Sequence, residues 1–85
     1  MTIKEKIYEI CGDDEVLLAD GFDSALIGFG RVFAGRPIAV YDKAKVLGIL
    51  KKQGMKMEEA IEYFEYNIEG SYVGEATPMF LERIK

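Results

Sequence analysis

The chain has 85 residues, of which 49% are hydrophobic and 12% aromatic, and its formal net charge is −4. A chain of this length and composition makes one domain over residues 1–85 and is too apolar to be disordered. Cys11 is the only cysteine, which excludes a disulfide framework and favours a reducing compartment. No apolar run approaches the roughly 20 residues of a membrane span, and residues 1–6 do not resemble a signal peptide, so we expect a cytoplasmic protein without membrane contact.

The N-terminal segment predicts a short helix. Thr2 and Glu5 fit a capping box, in which Thr2 caps the helix and Glu5 reaches back to it. Isoleucines at positions 3, 7 and 10 recur at helical spacing, so the helix should run to about Cys11.

Two strands are predicted next. The apolar stretch over 25–33 contains Gly28 and Gly30, which is typical of a strand that another backbone approaches closely. A loop of hairpin length then leads to a second strand over 38–41.

The second half of the chain predicts two helices and a last strand. Asp42 is a good N-cap for a helix over 43–53, and Gly48 in that helix suggests close packing. Residues 57–68 have the spacing of a helix with one buried face, formed by Met57, Ala60, Ile61, Phe64 and Ile68. Residues 77–84 read as the last strand. We therefore predict an α+β fold in which a small antiparallel sheet of about three strands packs against two to three helices.

Charge is segregated along these helices. Residues 43–56 hold five lysines and no acidic residue, whereas residues 57–85 hold seven acidic and two basic residues. The simplest interpretation is two surface helices of opposite sign side by side. The alternatives are a basic patch for an anionic ligand, or complementary faces for self-association. Nonspecific nucleic-acid binding depends on basic side chains that neutralise phosphates. It is not expected here, because the net charge of the chain is −4.

The absence of histidine removes the commonest general base near neutral pH and the commonest metal ligand. Nucleophilic centres that pair Ser or Cys with His are therefore excluded, and we predict neither an enzyme nor a cofactor. Only chemistry based on carboxylates and a divalent metal stays open. An acidic cluster precedes the first strand, but its spacing does not match an EF-hand, which favours solvated loop residues: Asp13, Asp14, Glu15, Asp20 and Asp23.

Two further patterns on the predicted helix over 57–68 have alternative interpretations. Four glutamates lie along one face, as either a solvated surface or a site for a basic partner: Glu58, Glu62, Glu65 and Glu69. Tyr63 and Tyr66 lie off the apolar stripe, as either half-buried packing residues or contact residues for a partner.

Several segments together carry a resemblance to a known family: residues 20–28, residues 39–42 with Lys45, and residues 54–55, 58–60, 63–67 and 70–78. In these segments, which cover about two-thirds of the chain, the sequence resembles a family of short, mostly uncharacterised bacteriophage and prophage proteins. The resemblance implies a phage setting inside a bacterial host cell and transfers no activity to any residue. The chain departs from the family at Lys56, where Ser or Thr is usual, so the N-cap of the helix over 57–68 is lost.

The predicted binding surface collects polar residues near the chain reversals at Gly70, Gly74 and Pro78. The residues near these reversals are Asn67, Tyr72, Glu75 and Thr77, and the predicted surface also includes Asp23 and Tyr41. A possible anion-binding group consists of Arg31, Arg36, Lys43 and Lys45.

We therefore predict a noncatalytic accessory protein that binds a host or phage protein, or itself as a homo-oligomer. The alternative is a protein that binds a small anionic, nucleotide-like ligand, with basic side chains on the phosphates and a tyrosine stacked on the base. An enzyme using carboxylates and a metal is the third hypothesis.

Overall fold

The computed structural model of the chain describes residues 2–12, 16–19, 21–31, 35–69 and 77–84. Its helices are α1 (Ile3–Cys11), α2 (Lys43–Lys52) and α3 (Met57–Tyr63), and its strands are β1 (Leu26–Gly30), β2 (Ile38–Asp42) and β3 (Met79–Leu81). A 3-10 turn (Asp23–Ala25) precedes β1, and a π-helical segment (Phe64–Glu69) continues α3. None of the helices in this part of the chain is long and apolar enough to cross a membrane.

The described strands form one mixed sheet in the order β1-β2-β3. β1 pairs antiparallel with β2, with Phe29 opposite Ala39, and β3 pairs parallel with β2, with Phe80 opposite Tyr41. Parallel neighbours require a crossover connection, which α2, α3 and the π-helical segment supply. The structure confirms the α+β class with three strands and three helices. The expected all-antiparallel pairing is corrected, because the last strand enters parallel to β2.

The core lies where the helices cover this sheet, and its largest buried side chains include Tyr41, Phe64, Leu50 and Val46. Phe80 of β3 stacks on the Tyr41 ring with 5.7 Å between centroids and meets the Phe64 ring edge-on at 5.0 Å. One aromatic side chain of the last strand therefore ties the central strand to the end of α3.

Helix α1 begins as predicted but buries a narrower stripe. The Glu5 amide donates to Thr2 Oγ1 at 3.2 Å, which is the expected cap. Of the three isoleucines only Ile7 is buried, and Cys11, four residues later, is buried with it. Ile10 is 68% exposed, because the face that meets the sheet follows the spacing of four from Ile7 to Cys11.

Helix α2 has the predicted ends. The Asp42 carboxylate accepts hydrogen bonds from the amides of Ala44 and Lys45, and Gly54 follows the helix with φ +105°. Our interpretation of Gly48 as a close-packing position is wrong, because a Cβ built there would meet nothing within 4 Å. The same holds for Gly28 of β1.

Helix α3 begins at Met57 without a side-chain cap from Lys56, because a lysine side chain has no acceptor for the free amides of the first turn. Glu59 Oε1 accepts a hydrogen bond from the Lys56 amide at 3.3 Å instead. Ala60 and Phe64 are buried, whereas Met57 and Ile61 of the predicted stripe are exposed. The buried face is thus narrower than the sequence indicates, and the apolar side chains of Met57 and Ile61 lie on the outer surface of the helix.

Candidate functional site

A cleft of about 340 Å³ lies between the segment that precedes β1, the π-helical segment and the start of β3. Its described lining residues are Leu18, Ala19, Phe22, Tyr63, Asn67, Ile68, Thr77, Pro78 and Phe80. We call it the Asn67 cleft. Six of the nine described lining residues are apolar, and the other three, Tyr63, Asn67 and Thr77, carry a polar side-chain group. Apolar walls with few polar groups are typical of ligand-binding sites.

The change from α to π geometry at Phe64 helps to build this cleft. Phe64 is fully buried, and the helix continues from it with the wider π pattern over Phe64–Glu69. Asn67 and Ile68, both in that wider turn, reach the cleft. Such π segments occur frequently at functional sites.

Tyr41 supports the cleft from inside the core. Its ring is fully buried, and its hydroxyl accepts a hydrogen bond from the Ala19 amide at 2.7 Å. We predicted a surface role for Tyr41, and the structure corrects this, because the side chain has no exposure. The signal was available in the sequence, since Tyr41 alternates with the equally buried Ala39 along β2.

The structure brings together only part of the predicted binding surface. Asn67 and Thr77 line the same cleft. Asp23 is exposed in a separate cavity of about 330 Å³ beside α1, where Lys4 lies 3.7 Å from it. Tyr72 and Glu75 lie outside the described residues.

Sequence reasoning missed the apolar wall of the cleft. Leu18 and Phe22 belong to a stretch with neither helical nor strand periodicity, so no pattern placed them. Phe80 was expected in the last strand, but its contacts depend on the pairing of β3 with β2.

The basic residues predicted to bind an anion do not converge on one site. Those residues are Arg31, Arg36, Lys43 and Lys45. The Arg31 guanidinium donates to the carbonyl of Gly35 at 3.1 Å, and Arg36 is exposed. Lys43 Nζ lies 2.6 Å from Glu82 Oε1 and 5.2 Å from the centre of the Phe64 ring. Lys45 lines a different groove, on α2.

Among the described residues, Asp42 is the one with a buried charged side chain, and its exposure is 4%. Arg83 Nε donates to its Oδ2 at 2.9 Å, and the Ala44 and Lys45 amides donate to its Oδ1. Burial raises the pKa of Asp42, but the bonds from Arg83 and the two amides outweigh it and hold the pKa below its ordinary value. Both carboxylate oxygens of Asp42 already accept hydrogen bonds, one from the amides at the start of α2 and the other from Arg83. The role of this side chain is therefore structural.

No group of three or more acidic or cysteine side chains placed to hold a metal ion occurs within the described ranges. Of the acidic cluster predicted before β1, Asp23 is described, and the residues at 13–15 and 20 lie outside the described ranges. Cys11 is buried against the core.

The Asn67 cleft is therefore the best candidate site on geometric grounds, and it contains binding groups without an acid–base pair. Comparisons of the chain with protein-family models, with curated proteins and with solved structures found no match.

Proposed function

We propose that this chain is a noncatalytic binding protein, and that the Asn67 cleft seats an apolar side chain of a protein partner. The observation that carries the proposal is the cleft itself. Its volume of about 340 Å³ lies at the small end of ligand pockets, which suits one anchoring side chain. Anchors of this kind, buried in a pocket, supply most of the free energy of binding at protein interfaces.

The surface beside the cleft has the composition of a contact surface. Tyr63, on the cleft wall, is 42% exposed, and Tyr66, three residues later, is 76% exposed. Met79, next to the lining residues Pro78 and Phe80, is 46% exposed. Tyrosine and methionine are enriched at interfaces, where they bury apolar area around a central pocket.

Two points support a role without catalysis. The chain has no histidine, and the buried carboxylate of Asp42 is already bound to Arg83 and two amides.

The identity of the partner is proposed from the resemblance to phage and prophage proteins. On that basis the partner is a host or phage protein inside a bacterial cell.

A second candidate function is the binding of a small planar molecule in the same cleft. Asn67 carries an amide that can pair with the edge of a heterocycle, and Tyr63 offers a ring for stacking. No lysine or arginine is among the described residues of the lining, so this candidate fits a neutral ring better than the phosphates of a nucleotide.

The test is native mass spectrometry of the chain purified gently from a bacterial host. We expect a discrete protein partner on the wild type and its loss from an Asn67→Arg variant, because a long charged side chain would occupy the cleft. The matched control is Tyr8→Arg, since Tyr8 is also exposed but lies on α1, away from the cleft.

Each outcome has a distinct meaning. A small-molecule mass that Asn67→Arg removes and Tyr8→Arg retains would favour the second candidate. A protein partner retained equally by both variants would contradict a role for the cleft. Circular dichroism of each variant confirms that the fold is intact.

A further inference from the structure

Helix α2 carries an exposed groove on a face that the Asn67 cleft does not use. The groove has a volume of about 330 Å³ and is lined by Ser24, Lys45, Gly48, Ile49 and Lys52. The four helical residues are spaced i, i+3, i+4 and i+7, so they share one face of α2. The two lysines stand at its ends, about 10 Å apart along the helix axis. We call this surface the α2 groove.

Gly48 keeps the middle of the α2 groove open. Glycine weakens a helix relative to alanine, so its presence inside α2 needs compensation. A Cβ at this position would meet no atom within 4 Å, so packing inside the described chain does not require the glycine. No described residue fills the space above Gly48, so it is open to a partner.

The lysines of the α2 groove are not neutralised within the described chain. Its ion pairs join Lys4 to Asp23, Lys43 to Glu82 and Arg83 to Asp42. None of them connects α2 to the glutamates of α3, although the two helices are neighbours. The groove therefore presents a basic surface to solvent.

The outer face of α3 has the same spacing with the opposite charge. Glu58, Ile61 and Glu62 lie on α3, and Glu65 is the second residue of the π-helical segment that continues it. In sequence the four residues follow i, i+3, i+4 and i+7, and all four are exposed. Ile61 is 37% exposed, so an apolar side chain stands between glutamates. We call this surface the α3 face.

The two surfaces match residue by residue when the helices run antiparallel. The pairs are then Lys52 with Glu58, Ile49 with Ile61, Gly48 with Glu62, and Lys45 with Glu65. In this arrangement the two isoleucines make an apolar contact in the middle, and a lysine faces a glutamate at each end. The open space over Gly48 has room for the Glu62 side chain.

We propose that the chain associates with itself, with the α2 groove of one copy receiving the α3 face of a second copy. Opposite charges at equal spacing favour this occupant over an unrelated partner. The contact joins the α2 groove of one copy to the α3 face of the other, and it shares no lining residue with the Asn67 cleft.

The experiment is sedimentation equilibrium of the full chain over a range of protein and salt concentrations. We expect reversible association that weakens as salt rises, because exposed ion pairs are screened. A Lys45→Glu/Lys52→Glu variant and a Glu58→Lys/Glu65→Lys variant should each associate at least about tenfold more weakly than the wild type. An equimolar mixture of the two variants should associate again, because each offers the complement of the other.

The matched control for the Lys45→Glu/Lys52→Glu variant is Lys6→Glu/Lys51→Glu, which changes the net charge by the same amount at exposed positions outside the groove. It should associate like the wild type. A wild type that stays monomeric at about 1 mM would overturn the proposal. So would charge-reversed variants that associate normally, or a mixture that does not recover association. Thermal melts of all variants show whether each remains folded.

Discussion

At the scale of single residues, the Tyr41 hydroxyl connects the core to the candidate site. The segment over 16–19 has no regular structure, so its backbone amides need partners other than a helix or sheet. The hydroxyl accepts the Ala19 amide at 2.7 Å, and Ala19 is part of the wall of the Asn67 cleft. A buried ring thereby positions a segment that carries no strong structural pattern of its own.

Removing this oxygen tests the connection. We expect Tyr41→Phe to lower the free energy of unfolding by about 1–2 kcal/mol, because the partly buried Ala19 amide loses its acceptor. Urea denaturation measures the change. Tyr66→Phe is the control, since Tyr66 is 76% exposed, and it should leave stability unchanged. Equal stability of Tyr41→Phe and the wild type would show that the bond contributes little.

The same scale separates what the sequence could and could not predict. Asp42 was recognised as the cap of α2, because the amides it binds are two and three residues away. Its other partner, Arg83, lies 41 residues away, and no local pattern connects the two. Tyr41 is predicted on the binding surface, although its alternation with Ala39 along β2 indicates a core position.

At the scale of elements, local signals set the ends of the helices and tertiary packing set their faces. Thr2 and Asp42 mark the starts of α1 and α2 correctly, because the amides they cap lie within one turn. The π-helical segment was not predicted, because it begins where Phe64 packs against Phe80 of a distant strand. The direction of β3 was missed for a related reason, since strand direction depends on the whole crossover rather than on residues 77–84.

Gly48 allows a direct test at this scale. We expect Gly48→Ala to raise the free energy of unfolding of the monomer by up to about 1 kcal/mol, because alanine favours the helix and its Cβ meets no neighbour. Gly54→Ala is the matched contrast, and it should lower stability by about 1 kcal/mol or more, because Gly54 has φ +105°. Chemical denaturation of both variants at low protein concentration decides the matter. Loss of stability in Gly48→Ala would mean that the space above Gly48 is needed within the fold.

At the scale of the whole molecule, two ion pairs connect Glu82 and Arg83, which follow β3, to the start of α2. Arg83 binds Asp42 at 2.9 Å, and Lys43 binds Glu82 at 2.6 Å. The hydrogen bond from Lys43 lowers the pKa of Glu82, as Arg83 and the backbone amides do for Asp42 against the effect of burial.

The candidate site was predicted at this scale only in part. Asn67 and Thr77 were named from their place near chain reversals, whereas the cavity depends on how three separate segments meet.

These pKa values give stability a defined dependence on pH. Both carboxyl groups have a lower pKa in the folded chain than in the unfolded chain, so the unfolded state binds protons first. Their contribution to stability is present above the ordinary carboxyl range, and we expect it to be lost as the pH falls below about 4. Urea midpoints measured between neutral and acid pH check this. An Arg83→Met variant should show a shallower loss, and an unchanged profile would contradict the role of the pair.

The two ion pairs also have a consequence for the order of folding. They join residues 41 and 39 positions apart, and closing a loop of that length has an entropic cost that neighbouring helical turns do not have. Contacts between distant residues form slowly, so we expect β3 to dock after α2 and α3 have formed. The Asn67 cleft takes part of its wall from Thr77, Pro78 and Phe80. A chain in which β3 has not docked therefore lacks part of the cleft wall and would not present the cleft to a partner.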